Sequence, residues 1–128
     1  MTTNTSLRWK PFRLWSKLRI FWNGIRVAAL NDRNVATQIV LSLIVLIFTF
    51  WQRQWFDFAL IAVVTGYLVV VEMINTAIEA ICDYMQPDYD PSIGAIKDIG
   101  AAASGIAILI WLVAMLYELG RIWSAIQG

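Results

Sequence analysis

Three uncharged runs divide the chain. The first covers residues 35–51, the second begins near Phe58 and ends at Val71, and the third goes from Ile99 to Tyr117. A helix rises about 1.5 Å per residue, so the first run nearly crosses a hydrocarbon layer of roughly 30 Å and the third is long enough to cross it. The second run is too short by itself, so its helix must continue through Glu72 towards Asp83. Between the runs lie turn-forming stretches. In "NDRN", Asn31–Asn34, an Asn or Asp can cap the next helix. "QRQWFD" is a short polar turn with aromatic neighbours, and the two prolines of "QPDYDPSIG" end the second long helix before Lys97 and Asp98 open the third. Upstream, Leu7, Leu14, Leu18, Phe21, Ile25 and Ala28 recur at helical spacing, while Lys10, Arg13, Lys17 and Arg26 lie largely on other faces. That stretch predicts an amphipathic helix lying on a membrane surface. The pattern as a whole predicts an all-α membrane protein with one domain over residues 1–128. Its elements are a surface helix over 7–31 and transmembrane helices over 35–51, 58–83 and 98–119.

Composition agrees with a bilayer setting. The chain of 128 residues is 59% hydrophobic with a mean hydropathy of +0.64, whereas soluble domains average about 45–50% apolar. The net charge of +1 hides a basic lead: Arg8, Lys10, Arg13, Lys17, Arg19, Arg26 and Arg33 are opposed there only by Asp32. Nucleic acid is one partner for such a lead. Its interleaving with Trp9, Phe12, Trp15, Phe21 and Trp22 suits anionic lipid headgroups better, so no nucleic-acid partner is expected. The positive-inside rule places this lead and the 84–97 loop in the cytoplasm, with Arg53 and Arg121 outside. The opening "MTTNTSLRWK" does not precede a short apolar core with a cleavage site, so no cleavable signal peptide is expected. One cysteine, Cys82, allows no intrachain disulfide. The chain has no histidine, which excludes Ser-His catalysis, imidazole acid–base work and His-ligated metals.

One stretch breaks the apolar pattern. "VEMINTAIEAICD", Val71–Asp83, places Glu72, Asn75, Glu79 and Asp83 where a membrane segment has little room for them. With about 100° per residue, Asn75, Glu79 and Asp83 fall at roughly 300°, −20° and +20° from Glu72, so all four share one stripe. Glu72 and Glu79 lie roughly 10 Å apart along the axis, so the stripe goes from inside the bilayer to its inner surface. Asp83 alone could be a solvated helix end, and the whole stripe could be polar glue between helices. Ionisable groups inside a membrane otherwise point to a functional site.

Oxygen ligands without histidine suit a hard cation such as magnesium. A carboxylate left free of metal could take a proton from a hydroxyl, and together these suggest magnesium-assisted phosphoryl transfer. Neither G-x-x-x-x-G-K-[ST] nor a kinase Gly-rich loop is present, so a nucleotide site would be built differently. In the third span, Gly100, Ala101, Ala102, Ala103, Ser104 and Gly105 are all small and allow close backbone approach.

"VEMINTAIEAICD", followed by "KDIGAAA" and preceded by "WNGIRVAALND", resembles the signature of the prokaryotic diacylglycerol kinase family, small integral-membrane lipid kinases. The resemblance spans nearly the whole chain. It implies transfer of the γ-phosphate of ATP to a lipid hydroxyl, with Mg2+, by a homotrimer with composite sites at the cytoplasmic side of the bacterial inner membrane. On this resemblance Glu72 is the general base and Asn75 the asparagine beside it. Glu79 and Asp32 hold metal and nucleotide phosphates. Lys97 and Asp98 contact the nucleotide, and Asp88, Tyr89 and Asp90 lie along it. Arg13 sits near both nucleotide and lipid, and Trp22 and Glu72 lie beside the lipid alcohol.

The sequence departs from the family pattern at Asp32, where Glu is usual, and at Asp90, where His is common. "PDYDP" and "NDRN" look more like the undecaprenol kinase branch, so undecaprenol stands as the alternative to diacylglycerol. A reading of another class is a non-catalytic assembly subunit or cation-conducting oligomer with the acids as a ring. The "KD" pair and the basic surface helix favour the kinase, since a pore needs neither.

Overall fold

The computed structural model describes residues 14–85, 88 and 90–128. It contains α1 (Leu14–Asn31), α2 (Arg33–Trp51), α3 (Trp55–Met85) and α4 (Pro91–Gln127). The last three are each long and apolar enough to cross a membrane, and among the described residues there is no strand.

Local chemistry fixes each boundary. Asp32 caps α2 in an extended conformation, and its carboxylate accepts a hydrogen bond from the Asn34 amide at 2.8 Å. The α2–α3 turn closes with bonds from the Arg53 amide to the Phe50 carbonyl and from the Gln54 amide to the Thr49 carbonyl. This is the pattern that satisfies the last carbonyls of a helix through one left-handed residue. Arg53 takes that conformation at φ 56°, a position glycine fills more cheaply. Asp90 caps α4, accepting from the Ser92 amide at 2.8 Å and the Ile93 amide at 3.4 Å, with Pro91 in the first turn.

Three boundaries correct the sequence reading. The third long helix begins at Pro91 rather than Asp98, because the Asp90–Pro91 pair starts it, and it continues to Gln127 rather than stopping at residue 119. Lys97 therefore sits within a helix and not in an 84–97 loop. Likewise α3 begins at Trp55, taking in part of the expected "QRQWFD" turn, because Asp57 in its first turn complements the helix dipole.

The core joins α2, α3 and α4 through Val45, Ile61, Leu68, Ala107, Trp111, Ala114 and Met115. Its polar tie is Trp111 Nε1, which donates to the fully buried Ser42 Oγ at 2.8 Å. α1 packs on α2 and α3, with Gly24 lying over Met73 of α3. Trp15, Leu18, Ile20, Phe21 and Trp22 remain exposed on α1, the apolar surface that an interfacial helix offers to lipid.

At the far end from the acidic stripe, Arg121 joins α4 to α3. Its Nε lies 3.0 Å from Asp57 Oδ2, and it also pairs with Glu118 one turn back on α4. Glu118 is fully buried and Asp57 nearly so. Removing one partner of a buried ion pair costs about 3–5 kcal/mol, because a charge is left without compensation. Arg121→Met should therefore lower the melting temperature in detergent sharply. Arg121→Met combined with Asp57→Asn and Glu118→Gln should recover most of the loss. Thermal unfolding followed by circular dichroism distinguishes the two.

Candidate active site

α3 and α4 run antiparallel, and the polar stripe of α3 lies along their seam. Its deepest member is Glu72, 5% exposed, whose Oε1 accepts a 2.7 Å hydrogen bond from Ser104 Oγ of α4. One turn on, the Asn75 Nδ2 donates to Glu79 Oε1 at 3.1 Å. Asn75 Oδ1 is buried without a partner, turned against Gly100. A Cβ at Gly100 would lie 2.5 Å from that oxygen, so the amide occupies the space a side chain would need. At the loop end, Lys97 Nζ of α4 pairs with Asp83 Oδ1 at 2.6 Å, both side chains partly exposed.

Polarity is graded along this seam. Glu72 is buried, Asn75 is half-buried, and Glu79 and Asp83 are exposed. Beside it lies a groove of about 180 Å³ lined by Val71, Ile74, Asn75, Ile78, Gly100 and Ala103. An apolar groove beside a seam that holds a buried carboxylate can take part of the chain of a lipid alcohol. The exposed end can meet a polar co-substrate from water.

The expected site residues divide accordingly. The structure brings Glu72, Asn75, Glu79 and Lys97 onto one seam. Asp32 and Asp90 are both occupied as helix caps. Asp88 and Asp98 are exposed, as is Trp22 on α1. Arg13 and Tyr89 lie outside the described residues. Among the described residues, no group of three or more acidic, cysteine or histidine side chains converges to hold a metal. The carboxylates present do match the oxygen chemistry magnesium prefers, and that ion often takes only one or two protein carboxylates beside phosphates and waters.

Sequence reasoning missed two contributors. Ser104 and Gly100 read only as small packing residues, yet one bonds Glu72 and the other makes room for Asn75. The available signal was spacing: the two are four apart on α4, hence on one face, opposite a stripe on α3.

A family model described as "Prokaryotic diacylglycerol kinase" matches residues 19–119. The chain belongs to that family. It is similar to the diacylglycerol kinase of Escherichia coli (strain K12), with 31% identity over 90 residues, covering 70% of this chain and 74% of that protein. The diacylglycerol kinase of Helicobacter pylori (strain ATCC 700392 / 26695) is 24% identical over 100 residues, covering 77% and 78% of the two chains. Membership makes this protein a membrane-embedded lipid kinase, and the α3–α4 seam is its candidate active site.

The seam geometry generates a paired test. Gly100→Ala must displace the Asn75 amide and with it the bond to Glu79, so kinase turnover should fall about tenfold or more, the scale of a lost positioning contact. Gly105→Ala, where an added Cβ meets nothing within 4 Å, should leave turnover near that of the unaltered protein. Initial rates of ADP release on the two purified variants check both.

Proposed function

We propose that the chain transfers the γ-phosphate of ATP to the hydroxyl of diacylglycerol, giving phosphatidic acid. The observation that carries this reading is the Glu72 carboxylate, buried in the α3–α4 seam with one oxygen held by Ser104. Such a group is sheltered from water, and its second oxygen has no partner among the described residues, so a lipid hydroxyl brought to it would meet a free acceptor, as a general base must offer. The names of both relatives support diacylglycerol over undecaprenol as the alcohol.

The roles follow the gradient of the seam. Glu72 takes the hydroxyl proton as the oxygen attacks phosphorus, and Asn75 fixes Glu79. Glu79, with Asp32, would hold magnesium, which when bound neutralises charge on the phosphate oxygens. Lys97 would meet phosphate. Its present partner Asp83 forms an exposed ion pair, and such pairs contribute little. A nucleotide can therefore recruit the ammonium at small cost. Asp88, Asp98 and Asp90 flank the same loop end, and Arg13 and Tyr89 would join them.

The basic lead supports a cytoplasmic orientation for this end of the molecule by the positive-inside rule, and family membership supports a bacterial inner membrane as its setting. A homotrimer sharing composite sites would bring the caps and seam acids of neighbouring copies together.

Glu72→Gln should lower kcat by about 10²–10⁴, the range for losing a general base. Unchanged turnover with diacylglycerol would remove the base assignment. Glu79→Gln should shift the magnesium dependence of the rate to higher concentration, and an unshifted titration would remove Glu79 as a ligand. Comparing kcat/KM for diacylglycerol and undecaprenol in mixed micelles decides between the two alcohols.

A further inference from the structure

We infer that Ser104 is a positioning residue for Glu72, and that its hydroxyl fixes which carboxylate oxygen is free to receive the substrate proton. The inference rests on the proposed role of Glu72 as general base.

A serine within a membrane helix can return its proton to a carbonyl on its own helix, one turn back. Ser124 does so, donating to the Gly120 carbonyl at 3.0 Å. Ser104 does not. Its Oγ reaches across to Glu72 Oε1 at 2.7 Å, between two residues that are 8% and 5% exposed. A hydroxyl bonded to a carboxylate at this length belongs to the strong, charge-assisted class. Away from water there is little solvent to replace it.

Ser104 has one proton to give, and it goes to Oε1. No partner within the described chain engages Oε2, and that oxygen is not among the fully enclosed unpartnered atoms. The carboxylate is thus held by one oxygen and presents the other. Without Ser104 the group could rotate about its last bond and offer either oxygen in several directions, and small misplacements of a reacting group cost large factors in rate. The neighbours on the same face of α4 agree. Gly100, one turn earlier, accommodates Asn75, and Ala107 beyond is fully buried with no polar atom on its side chain. Ser104 is the side-chain donor that this face of α4 supplies at the level of Glu72.

Simple interhelical adhesion would use the same contact, so the test must separate positioning from packing. Ser104→Ala, Ser104→Thr and Glu72→Gln, with the double variant Ser104→Ala/Glu72→Gln, are purified in detergent. Each is assayed for kcat, KM for ATP and melting temperature with Mg-ATP and diacylglycerol. Positioning predicts that Ser104→Ala lowers kcat about tenfold while KM for ATP stays within about twofold. Ser104→Thr, which keeps the hydroxyl, should restore most of the rate. Ser104→Ala should add little to the loss already caused by Glu72→Gln, because the serine acts through that carboxylate.

The proposal is overturned if Ser104→Ala keeps normal kcat while Glu72→Gln loses it; the base assignment then survives alone. It is also overturned if the alanine and threonine variants lose rate equally, or if the serine and glutamate losses multiply. Normal turnover in Glu72→Gln instead removes the reading on which the inference stands. Should Ser104→Ala melt below the assay temperature, Ser104→Cys, similar in size with a weaker donor, gives the same comparison.

Discussion

The constraint behind the rest is the presence of a carboxylate inside an apolar layer. Glu72 cannot face lipid without either taking up a proton or losing much stability. It must face protein, and that protein must be close enough to hydrogen bond and small enough to leave room. α4 meets both demands with Ser104 opposite Glu72 and Gly100 opposite Asn75. The register of the helix pair follows, since Asp83 then lies by Lys97 with the helices antiparallel. Packing of α3 on α4 hides this group, and the core at Ile61, Leu68, Ala107 and Trp111 extends the same seam towards the other end.

The same seam crosses the boundary between apolar and aqueous surroundings. Phosphoryl transfer to a lipid must join a reactant dissolved in hydrocarbon to one dissolved in water. A single stripe that goes from buried Glu72 to exposed Glu79 and Asp83 spans that change of solvent on one rigid helix. Asn75 is the link between the two regimes. Its amide nitrogen is committed to Glu79 and its oxygen to the space beside Gly100, so the wet carboxylate is tied to the dry end of the seam.

The stripe was legible because helical periodicity alone puts Glu72, Asn75, Glu79 and Asp83 on one face, and a charge inside an apolar run is conspicuous. The three spans were legible for the related reason that uncharged runs of that length have few alternatives. What faces the stripe was not legible. Which of the small residues from Gly100 to Gly105 meets Glu72 depends on the rotation and register of α4, and a run of similar residues carries no mark of either. The cluster of Asp57, Glu118 and Arg121 escaped for another reason. Each residue sits near a helix end, where a charge looks like an ordinary solvated group, and only tertiary packing reveals that Glu118 is dry. The early start of α4 was written in Asp90–Pro91, but a proline pair that ends one helix masks the proline that begins the next.

The caps bear on the departures from the family pattern. An aspartate is short enough for its carboxylate to turn back onto the amides of the first turn, as Asp32 does with Asn34 and Asp90 with Ser92 and Ile93. Glutamate, one methylene longer, is a poor cap at that position. Aspartate at position 32 therefore gains a defined orientation where a longer side chain gains reach. A capping bond uses one oxygen of the carboxylate and leaves lone pairs on the other, so a cap can still hold a cation through water. It would do so from a fixed position at the head of α2, where reach would be set by how α1 and α2 sit against α3 rather than by side-chain length. At Gly24 an added Cβ would already meet the side chain of Met73, the residue after Glu72, so α1 passes close to α3 at this level. The small residue at 24 lets α1 pack close beside the helix that carries Glu72, and the short acid at 32 fixes where the next helix starts, so the two set the path of the chain from α1 into α2 past that helix.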